Sequence, residues 1–386
     1  MIKKFFLTIL SVKFFIVLTI ILAYFFIPFN KVSYESNFKT FANEPISLSS
    51  AFKTWDAQHY IFLSKNGYQK NNQSDRFYPL LPLAIKIINV PLGNSVLSGL
   101  IASFIFSLFG LFYYYLFCKE YFKNKRIAFG SLIILLSFPT AFYLSLIYSE
   151  SVCFFLTAGF FYYLYKHKFV SAAIFAFFLP LSRSVGIVII FPFIVFWLIH
   201  IKNVSKHTVR EYVKHVFLNK NSYLVLSPLL GLLAYFIIMY VQTGNPFEGL
   251  YMLQNSVVGN WKLINAINPS YFFVNLFFPD NIQIHGFTNS VIDRMFFIGY
   301  CISLYFIYKK FDKTLFVYAL FTGMVPVFGN FMSYTRYVLL VFPIFMLLAQ
   351  ILKQKKYKIL FYPVVLFLFI FQIVFLVMHV LSYWVA

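Results

Sequence analysis

An all-α polytopic membrane protein is the fold class that the sequence predicts, and both composition and hydrophobic runs support it. The 386-residue chain is 61% hydrophobic and only 11% charged, whereas soluble globular proteins carry about 25% charged residues. Apolar runs of about 20 residues recur along the chain, which is the length that a helix needs to cross a bilayer. We therefore expect a single integral membrane domain over residues 1–386, built as a bundle of about eleven transmembrane helices.

The first apolar run follows Lys3 and Lys4 and extends to Phe29. This arrangement is similar to a secretory signal peptide, but the apolar part is too long and no small-residue cleavage site follows it. We expect a retained first helix over residues 5–29, with its N-terminus in the cytoplasm.

Further apolar runs predict the remaining helices. Two stretches, 30–94 and 243–289, are polar enough to leave the membrane core and predict long non-cytoplasmic loops, of which the first carries short amphipathic helices. The predicted helices after the first cover residues 95–118, 127–148, 151–165, 169–181, 187–201, 223–242, 291–308, 314–329, 337–352 and 359–383.

The net charge of +21 is compatible with a nucleic-acid partner, but its distribution favours another explanation. The basic residues form short clusters between apolar runs, as the positive-inside rule predicts for cytoplasmic loops. If successive helices cross the membrane in alternate directions, every dense cluster of basic residues falls on the same side as the N-terminus. We therefore predict that the charge sets the topology and that nucleic acid is not a partner. The clusters cover residues 119–126, 166–168, 202–220, 309–313 and 353–358.

The opposite, non-cytoplasmic face collects ionisable residues from distant parts of the sequence. Ionisable residues at membrane depth usually mark a site or a polar cavity. We expect them to lie at one end of the bundle, with Arg183 or Arg336 within about 15 Å of Asp56, a span that a bound ligand and two side chains cover at ordinary hydrogen-bond lengths. They are Asp56, His59, Arg76, Glu150, Arg183, Glu248 and Arg336.

Cys118, Cys153 and Cys301 lie in or beside apolar runs, without metal-ligand spacing or a disulfide framework. No cofactor is predicted, and metal dependence stays open.

The stretch 50–82 holds most of the chemistry-bearing residues of the first loop. Residues 50–66 fit a short amphipathic helix at the membrane interface, with Ser49 or Ser50 as its cap and Gly67 as its end. At helical spacing, Asp56 and His59 share one face.

Asp56 and His59 fit two chemistries. As metal ligands they are too few, and the sequence shows no further local cluster. As a general base, the Asp56 carboxylate takes a proton from an acceptor hydroxyl. His59 then either orients Asp56, contacts a phosphate, or is simply a polar group satisfied at the interface.

Arg76 and Tyr78 precede two prolines, Pro79 and Pro82, which fix an extended entry into the next segment. Both side chains are candidates to face a substrate. Arg183 and Arg336 are two further arginines of the same predicted face. Glu150 is a candidate partner for either arginine.

These residues stand in motifs that resemble the PIG-V-type mannosyltransferases, the GPI mannosyltransferase 2 family and its bacterial relatives, within the GT-C class. The resemblance covers most of the chain in the expected order, and its first block is the most specific. One departure is Thr54, where that family commonly has arginine. The motifs are WDAQHY (55–60), GY (67–68), FYPLLP (77–82), FPTAF (138–142), YSES (148–151), SRSVG (182–186) and RYVLLVFP (336–343).

The resemblance implies a GT-C-type bundle and a membrane glycosyltransferase, most simply a mannosyltransferase. It implies a polyprenyl-phosphate sugar donor, a lipid, glycan or protein acceptor, a site on the non-cytoplasmic face, and Asp56 as the catalytic carboxylate. Arg183 and Arg336 are then the candidates for the donor's phosphate, because the planar guanidinium can donate to two oxygens at once. Residue usage typical of an AT-rich genome favours a bacterial inner membrane.

Three other hypotheses remain. A transporter or lipid flippase would favour ionisable groups near helix centres and internal repeats, and neither is evident. A structural or assembly protein would not need the Trp-Asp-His block. Transfer of a sugar other than mannose fits the same motifs.

Overall fold

Helices make up most of the computed structural model, which describes residues 2–37, 44–204, 219–255, 290–329 and 333–385. No β-strand occurs within these ranges, so the all-α prediction is confirmed for them. Most of the predicted second loop (256–289) and most of the basic segment after the sixth predicted helix (205–218) lie outside the described residues.

The helices follow the predicted runs closely. They are α1 Ile2–Phe26, α2 Lys31–Asn37, α3 Leu48–Ala51, α4 Asp56–Asn66, α5 Leu80–Leu92, α6 Ser95–Phe122, α7 Lys125–Leu136, α8 Glu150–Tyr165, α9 Phe169–Phe178, α10 Ile190–Val204, α11 Ser227–Thr243, α12 Glu248–Gln254, α13 Val291–Lys310, α14 Lys313–Met324, α15 Tyr334–Val338, α16 Pro343–Leu352 and α17 Phe361–Val380.

Among the described residues, six helices are long and apolar enough to cross a membrane. Four shorter apolar helices accompany them, Leu80–Leu92, Phe169–Leu181, Lys313–Val327 and Pro343–Leu352. The chain is thus a multi-pass membrane protein, but the count of about eleven spans is not confirmed. The six long segments are Lys3–Phe26, Ser95–Phe122, Ser184–Asn203, Asn221–Thr243, Val291–Lys310 and Lys358–Val380.

Prolines explain the largest differences from the predicted bounds. The third predicted helix was expected to reach residue 148, but α7 ends at Leu136 and Pro139 lies just beyond. Proline lacks an amide proton and pushes the residue before it out of the helical region. The tenth predicted helix is likewise divided, because α15 ends at Val338 and α16 begins at Pro343.

The first loop differs from its predicted single helix. The helix over 50–66 is split into α3 and α4, and Trp55 between them has a φ of 52°. Such a backbone is strained for a bulky residue and re-aims the chain. Gly67 ends α4 as predicted, with a φ of 70°. Because seven of the eleven residues of α4 are buried, the helix is packed into the protein instead of lying exposed at the interface.

The α6 and α8 helices form the centre of the bundle. Gly110 of α6 allows their close approach, since a β-carbon there would lie 2.9 Å from the Phe155 Cα. At one end of α8, the Tyr165 hydroxyl donates to Asp312 Oδ2 at 2.6 Å, and Asp312 in turn caps α14. Lys166 pairs there with Glu120 at 2.6 Å. This basic end is separated from Glu150 by the whole length of α8.

Two loops are joined at the other end. The Glu248 carboxylate, which is 1% exposed, accepts from the Asn71 amide at 2.7 Å and from the Asn245 side chain at 3.0 Å. Gln242 accepts from the Tyr68 amide at 2.8 Å. The first loop is therefore anchored to the end of α11 and the start of α12.

Asp75 lies buried beside this junction and predicts a pH effect on stability. Burial, and then the charge of Glu248, raise the pKa of Asp75 from 3.8 to about 7. The hydrogen bond that the Gln69 amide donates to Asp75 lowers this pKa but does not offset burial. Between these values the folded protein holds a proton that the unfolded chain has released. Stability should therefore fall as the pH rises through this window.

Asp75→Asn should remove this fall of stability with rising pH. Thermal unfolding midpoints of detergent-solubilised protein should diverge from wild type as the pH rises from 4 to 7, with the variant gaining relative stability. Burial lowers the pKa of His59 to about 3, so this group favours the folded state increasingly as the pH rises. That opposite contribution is present in both proteins and cancels in the comparison. Parallel curves for the two proteins would contradict the protonated Asp75.

Candidate functional site

Four charged side chains from distant parts of the sequence meet at the end of the bundle opposite the basic end: Asp56, Glu150, Arg183 and Arg336. Asp56 is the first residue of α4 and Glu150 the first residue of α8. A helix N-terminus favours negative charge, because its first amides are unpaired and its dipole is positive there. The local folding of both segments thus stabilises a carboxylate at each position.

The two arginines lie where helices are interrupted. Arg183 is extended, with φ −167° and ψ 154°, between two short 3₁₀ turns at residues 179–181 and 184–189. Arg336 lies in the five-residue α15. Interruptions allow a long side chain to point into the bundle end instead of along a helix surface.

Arg336 joins the two carboxylates. Its Nη1 donates to Asp56 Oδ2 at 2.6 Å, its Nη2 donates to Glu150 Oε2 at 3.2 Å, and its Nε donates to Glu150 Oε1. Arg183 Nη1 donates to the same Glu150 Oε1 at 2.5 Å. The clustering of these residues predicted from the topology is therefore present, with Arg336 in direct contact with Asp56.

Exposure separates the four side chains. The Glu150 side chain is 0% exposed, those of Arg183 and Arg336 are 10% and 9% exposed, and that of Asp56 is 26% exposed. Glu150 is the buried counter-charge on which both arginines depend, since a buried charge without a partner is strongly unfavourable. Asp56 is the member of the cluster that a ligand reaches most readily.

The charge of Asp56 follows from its surroundings. Burial alone would raise the pKa of the Asp56 carboxyl, but the charge and hydrogen bond of Arg336, together with the charge of Arg76, outweigh it and hold that pKa below its ordinary value. Asp56 is therefore ionised at neutral pH, the form that accepts a proton.

His59 is fully buried one turn along α4, at 1% exposure. Its Nδ1 lies 3.0 Å from the Ser74 hydroxyl, and its ring stacks on Phe77 at 4.7 Å. Burial, and then the nearby Arg76, lower the pKa of His59 to about 3, so the imidazole is neutral. These contacts hold His59 inside the protein, where it packs against Ser74 and Phe77.

The remaining predicted residues line the outer part of the region. The Arg76 guanidinium lies 5.1 Å above the Phe77 ring, remains partly exposed and acts on the charge of Asp56. Tyr78 stacks on Tyr235 of α11 at 4.9 Å, within electrostatic range of Arg183.

Sequence reasoning missed the residues that hold these groups in place. Asp293 accepts from the Thr335 amide at 2.9 Å and the Thr335 hydroxyl at 2.7 Å, which fixes the segment that carries Arg336. Ser149 accepts from the Tyr60 hydroxyl at 2.8 Å and from Arg183 at 3.3 Å. Both positions precede or open a helix, but their partners are more than 30 residues away, so no local pattern reveals them.

Two tyrosine rings also flank the Arg336 guanidinium. Its guanidinium carbon lies 4.9 Å from the Tyr143 ring centre and 4.7 Å from that of Tyr148. Both tyrosines contact His379 of α17. A single histidine on a long apolar helix gives no signal at the sequence level beyond its rarity.

Among the described residues, no group of three or more His, Cys, Asp or Glu side chains is placed to hold a metal ion. The cluster at Asp56 combines two carboxylates with two arginines, whose guanidinium groups can donate to the oxygens of an anion.

No family model and no curated protein matches the chain. Among solved structures it is similar to the Archaeoglobus fulgidus oligosaccharyltransferase in the apo form, with 15% identity and a TM-score of 0.49 over 98% of this chain and 56% of that chain. The same enzyme in complex with Zn and sulfate gives 14% identity and a TM-score of 0.48 over 95% of this chain and 53% of that one. The chain thus spans about half the length of these proteins, and a likeness at this level does not assign its family or activity.

The charge cluster predicts a large stability difference between two glutamates. Glu150→Gln leaves two buried arginines with one remaining carboxylate, and breaking a buried pair in this way costs about 3–5 kcal/mol. Glu120→Gln, at the basic end, removes exposed pairs with Lys123 and Lys166 and serves as the matched control. Denaturation midpoints in detergent should fall strongly for the first variant and little for the second. Equal shifts would contradict the role of Glu150 as the shared counter-charge.

Proposed function

We propose that this protein is a membrane glycosyltransferase of the GT-C class. It transfers a sugar from a polyprenyl-phosphate donor to a hydroxyl of a lipid-, glycan- or protein-linked acceptor. The proposal joins the motif resemblance to the charge cluster at Asp56. Mannose as the sugar, a bacterial inner membrane and a site on the non-cytoplasmic face belong to the proposal.

One observation carries the proposal: an ionised, partly exposed carboxylate is hydrogen-bonded to a buried arginine at 2.6 Å. Glycosyl transfer from a sugar phosphate needs a base for the acceptor hydroxyl and a cation for the phosphate, close together. Asp56 and Arg336 supply such a pair.

The surrounding charge favours an anionic ligand. Arg76, Arg183 and Arg336 outnumber the carboxylates Asp56 and Glu150 by one, and the neutral His59 adds no charge. Among the described residues, the Arg183 Nε is buried without a hydrogen-bond partner. A phosphate oxygen would satisfy such a donor, which supports Arg183 as a phosphate-binding residue.

This placement supports the following reaction. The Asp56 carboxylate takes the proton of the acceptor hydroxyl. At the same time, the oxygen of that hydroxyl forms a bond to the anomeric carbon of the sugar. The bond between that carbon and the phosphate oxygen breaks, and polyprenyl phosphate leaves with the electron pair. Arginine stabilises the charge that builds on the leaving phosphate.

The first experiment identifies the donor. Purified protein in liposomes receives either undecaprenyl-phosphate mannose or GDP-mannose, with a mixed acceptor pool. We expect transfer from the lipid-linked sugar alone, because the polyprenyl tail keeps the phosphate at the membrane interface. Transfer from GDP-mannose without a lipid carrier would refute the donor assignment. Movement of the lipid between leaflets without transfer would favour a flippase.

The second prediction concerns Asp56 itself. Asp56→Asn preserves size but removes the basic carboxylate, so transfer should fall about 10²–10⁴-fold, as general-base catalysis typically contributes. Initial rates with the lipid-linked donor measure the loss. Glu35→Gln, which removes a partly exposed carboxylate of the same loop, is the matched control and should keep its rate. A rate for Asp56→Asn above about a tenth of wild type would exclude the general-base role.

A further inference from the structure

The C-terminal helix α17 contributes a buried histidine to the region behind Asp56. His379 is 2% exposed, although it lies near the end of a largely apolar helix. Its Nε2 lies 3.0 Å from the Tyr148 hydroxyl and its Nδ1 lies 3.3 Å from the Tyr143 hydroxyl. Both ring nitrogens are thus engaged with tyrosines that also face Arg336.

The direction of these hydrogen bonds is fixed from one end. The Tyr148 hydroxyl donates its proton to the Thr54 carbonyl at 3.2 Å. It can then only accept at its oxygen, so the His379 Nε2 must carry a proton and donate. In the neutral ring, Nδ1 is then an acceptor and receives the proton of the Tyr143 hydroxyl. The resulting chain runs from Tyr143 through His379 and Tyr148 to Thr54.

This series of hydrogen bonds ends next to a strained turn of the backbone. Thr54 lies two residues before Asp56, and Trp55 between them has the strained backbone that starts α4. A strained conformation persists only where its surroundings hold it. The C-terminal segment supplies a second support, since Trp384 contacts the Trp55 ring edge-on at 5.3 Å.

We propose that His379 is a positioning residue for the proposed transfer reaction. As the neutral Nε2–H tautomer it holds Tyr148 against the Thr54 carbonyl, and Tyr148 in turn holds the turn that presents Asp56 to Arg336. The same two tyrosine rings flank the Arg336 guanidinium, so one network sets the distance between the base and the phosphate-binding cation. The effect on catalysis rests on the proposed function, whereas the hydrogen-bonded network does not.

A spectroscopic test addresses the network without any activity. Protein labelled with ¹⁵N-histidine in nanodiscs is studied by NMR, and the His379 signals are assigned by their loss in His379→Gln. We expect a neutral ring that carries its proton on Nε2. Tyr143→Phe should change mainly the Nδ1 signal, and Tyr148→Phe mainly the Nε2 signal. A charged ring, or a proton on Nδ1, would overturn the proposal.

A kinetic test addresses the consequence for Asp56. The glutamine amide of His379→Gln can occupy the Nε2 position and donate to Tyr148, whereas His379→Asn reaches only the Nδ1 position. Undecaprenyl-phosphate mannose is the probe. We expect kcat to fall about 10–10²-fold in the asparagine variant, since small displacements of a catalytic group have costs of this order. The glutamine variant should stay within about threefold of wild type, and the donor KM should change little in both.

His200→Gln, at the far end of α10, is the matched control and should keep its kcat. If the asparagine variant does not fold, Tyr148→Phe replaces it, because that change keeps the ring over Arg336 and removes the bond to Thr54. Equal kcat in the asparagine and glutamine variants, or a loss confined to donor KM, would overturn the positioning role. Absence of transfer by wild-type protein would instead count against the proposed function, and the NMR result would stand.

Discussion

Two arginines share one fully buried glutamate at the end of this bundle, and much of the surrounding structure follows from that arrangement. A guanidinium in an apolar interior must be paired and hydrogen-bonded, or it destabilises the fold. Arg336 meets this requirement through Glu150, Asp56 and the rings of Tyr143 and Tyr148. Because these partners come from three separate segments, satisfying the one charge on α15 fixes the position of that helix relative to α4, α8 and the stretch after α7.

The same interaction links stability to chemistry. Glu150 neutralises the arginines from the buried side, so that Asp56 can remain partly exposed and still be held ionised by Arg336. In the proposed reaction, a phosphate donor that approaches the cluster would meet the arginine charge and the Asp56 base together. Arg183 and Arg336 lie where helices are interrupted, and these interruptions allow the two side chains to converge on Glu150.

Local patterns in the sequence are strongest where the physics is local. Long apolar runs placed the helices, and Gly67 ends α4 as predicted, at a positive φ that glycine adopts without strain. Prediction was weaker at Pro139 and Pro343, where a single residue divides a run that is apolar throughout. The number of spans is also not confirmed, since several apolar helices are shorter than a bilayer.

The sequence by itself determined an all-helical membrane protein and assigned Asp56, Glu150, Arg183 and Arg336 to one face, because the spacing of charge clusters sets topology. Tertiary structure alone decided which charges touch, which carboxylate is buried and which remains exposed. It also revealed His379, Asp293 and Ser149, whose contacts join residues far apart in the chain. The physical reason is that hydrogen bonds and ion pairs act over about 3 Å in space, and no local pattern encodes the partner at the other end.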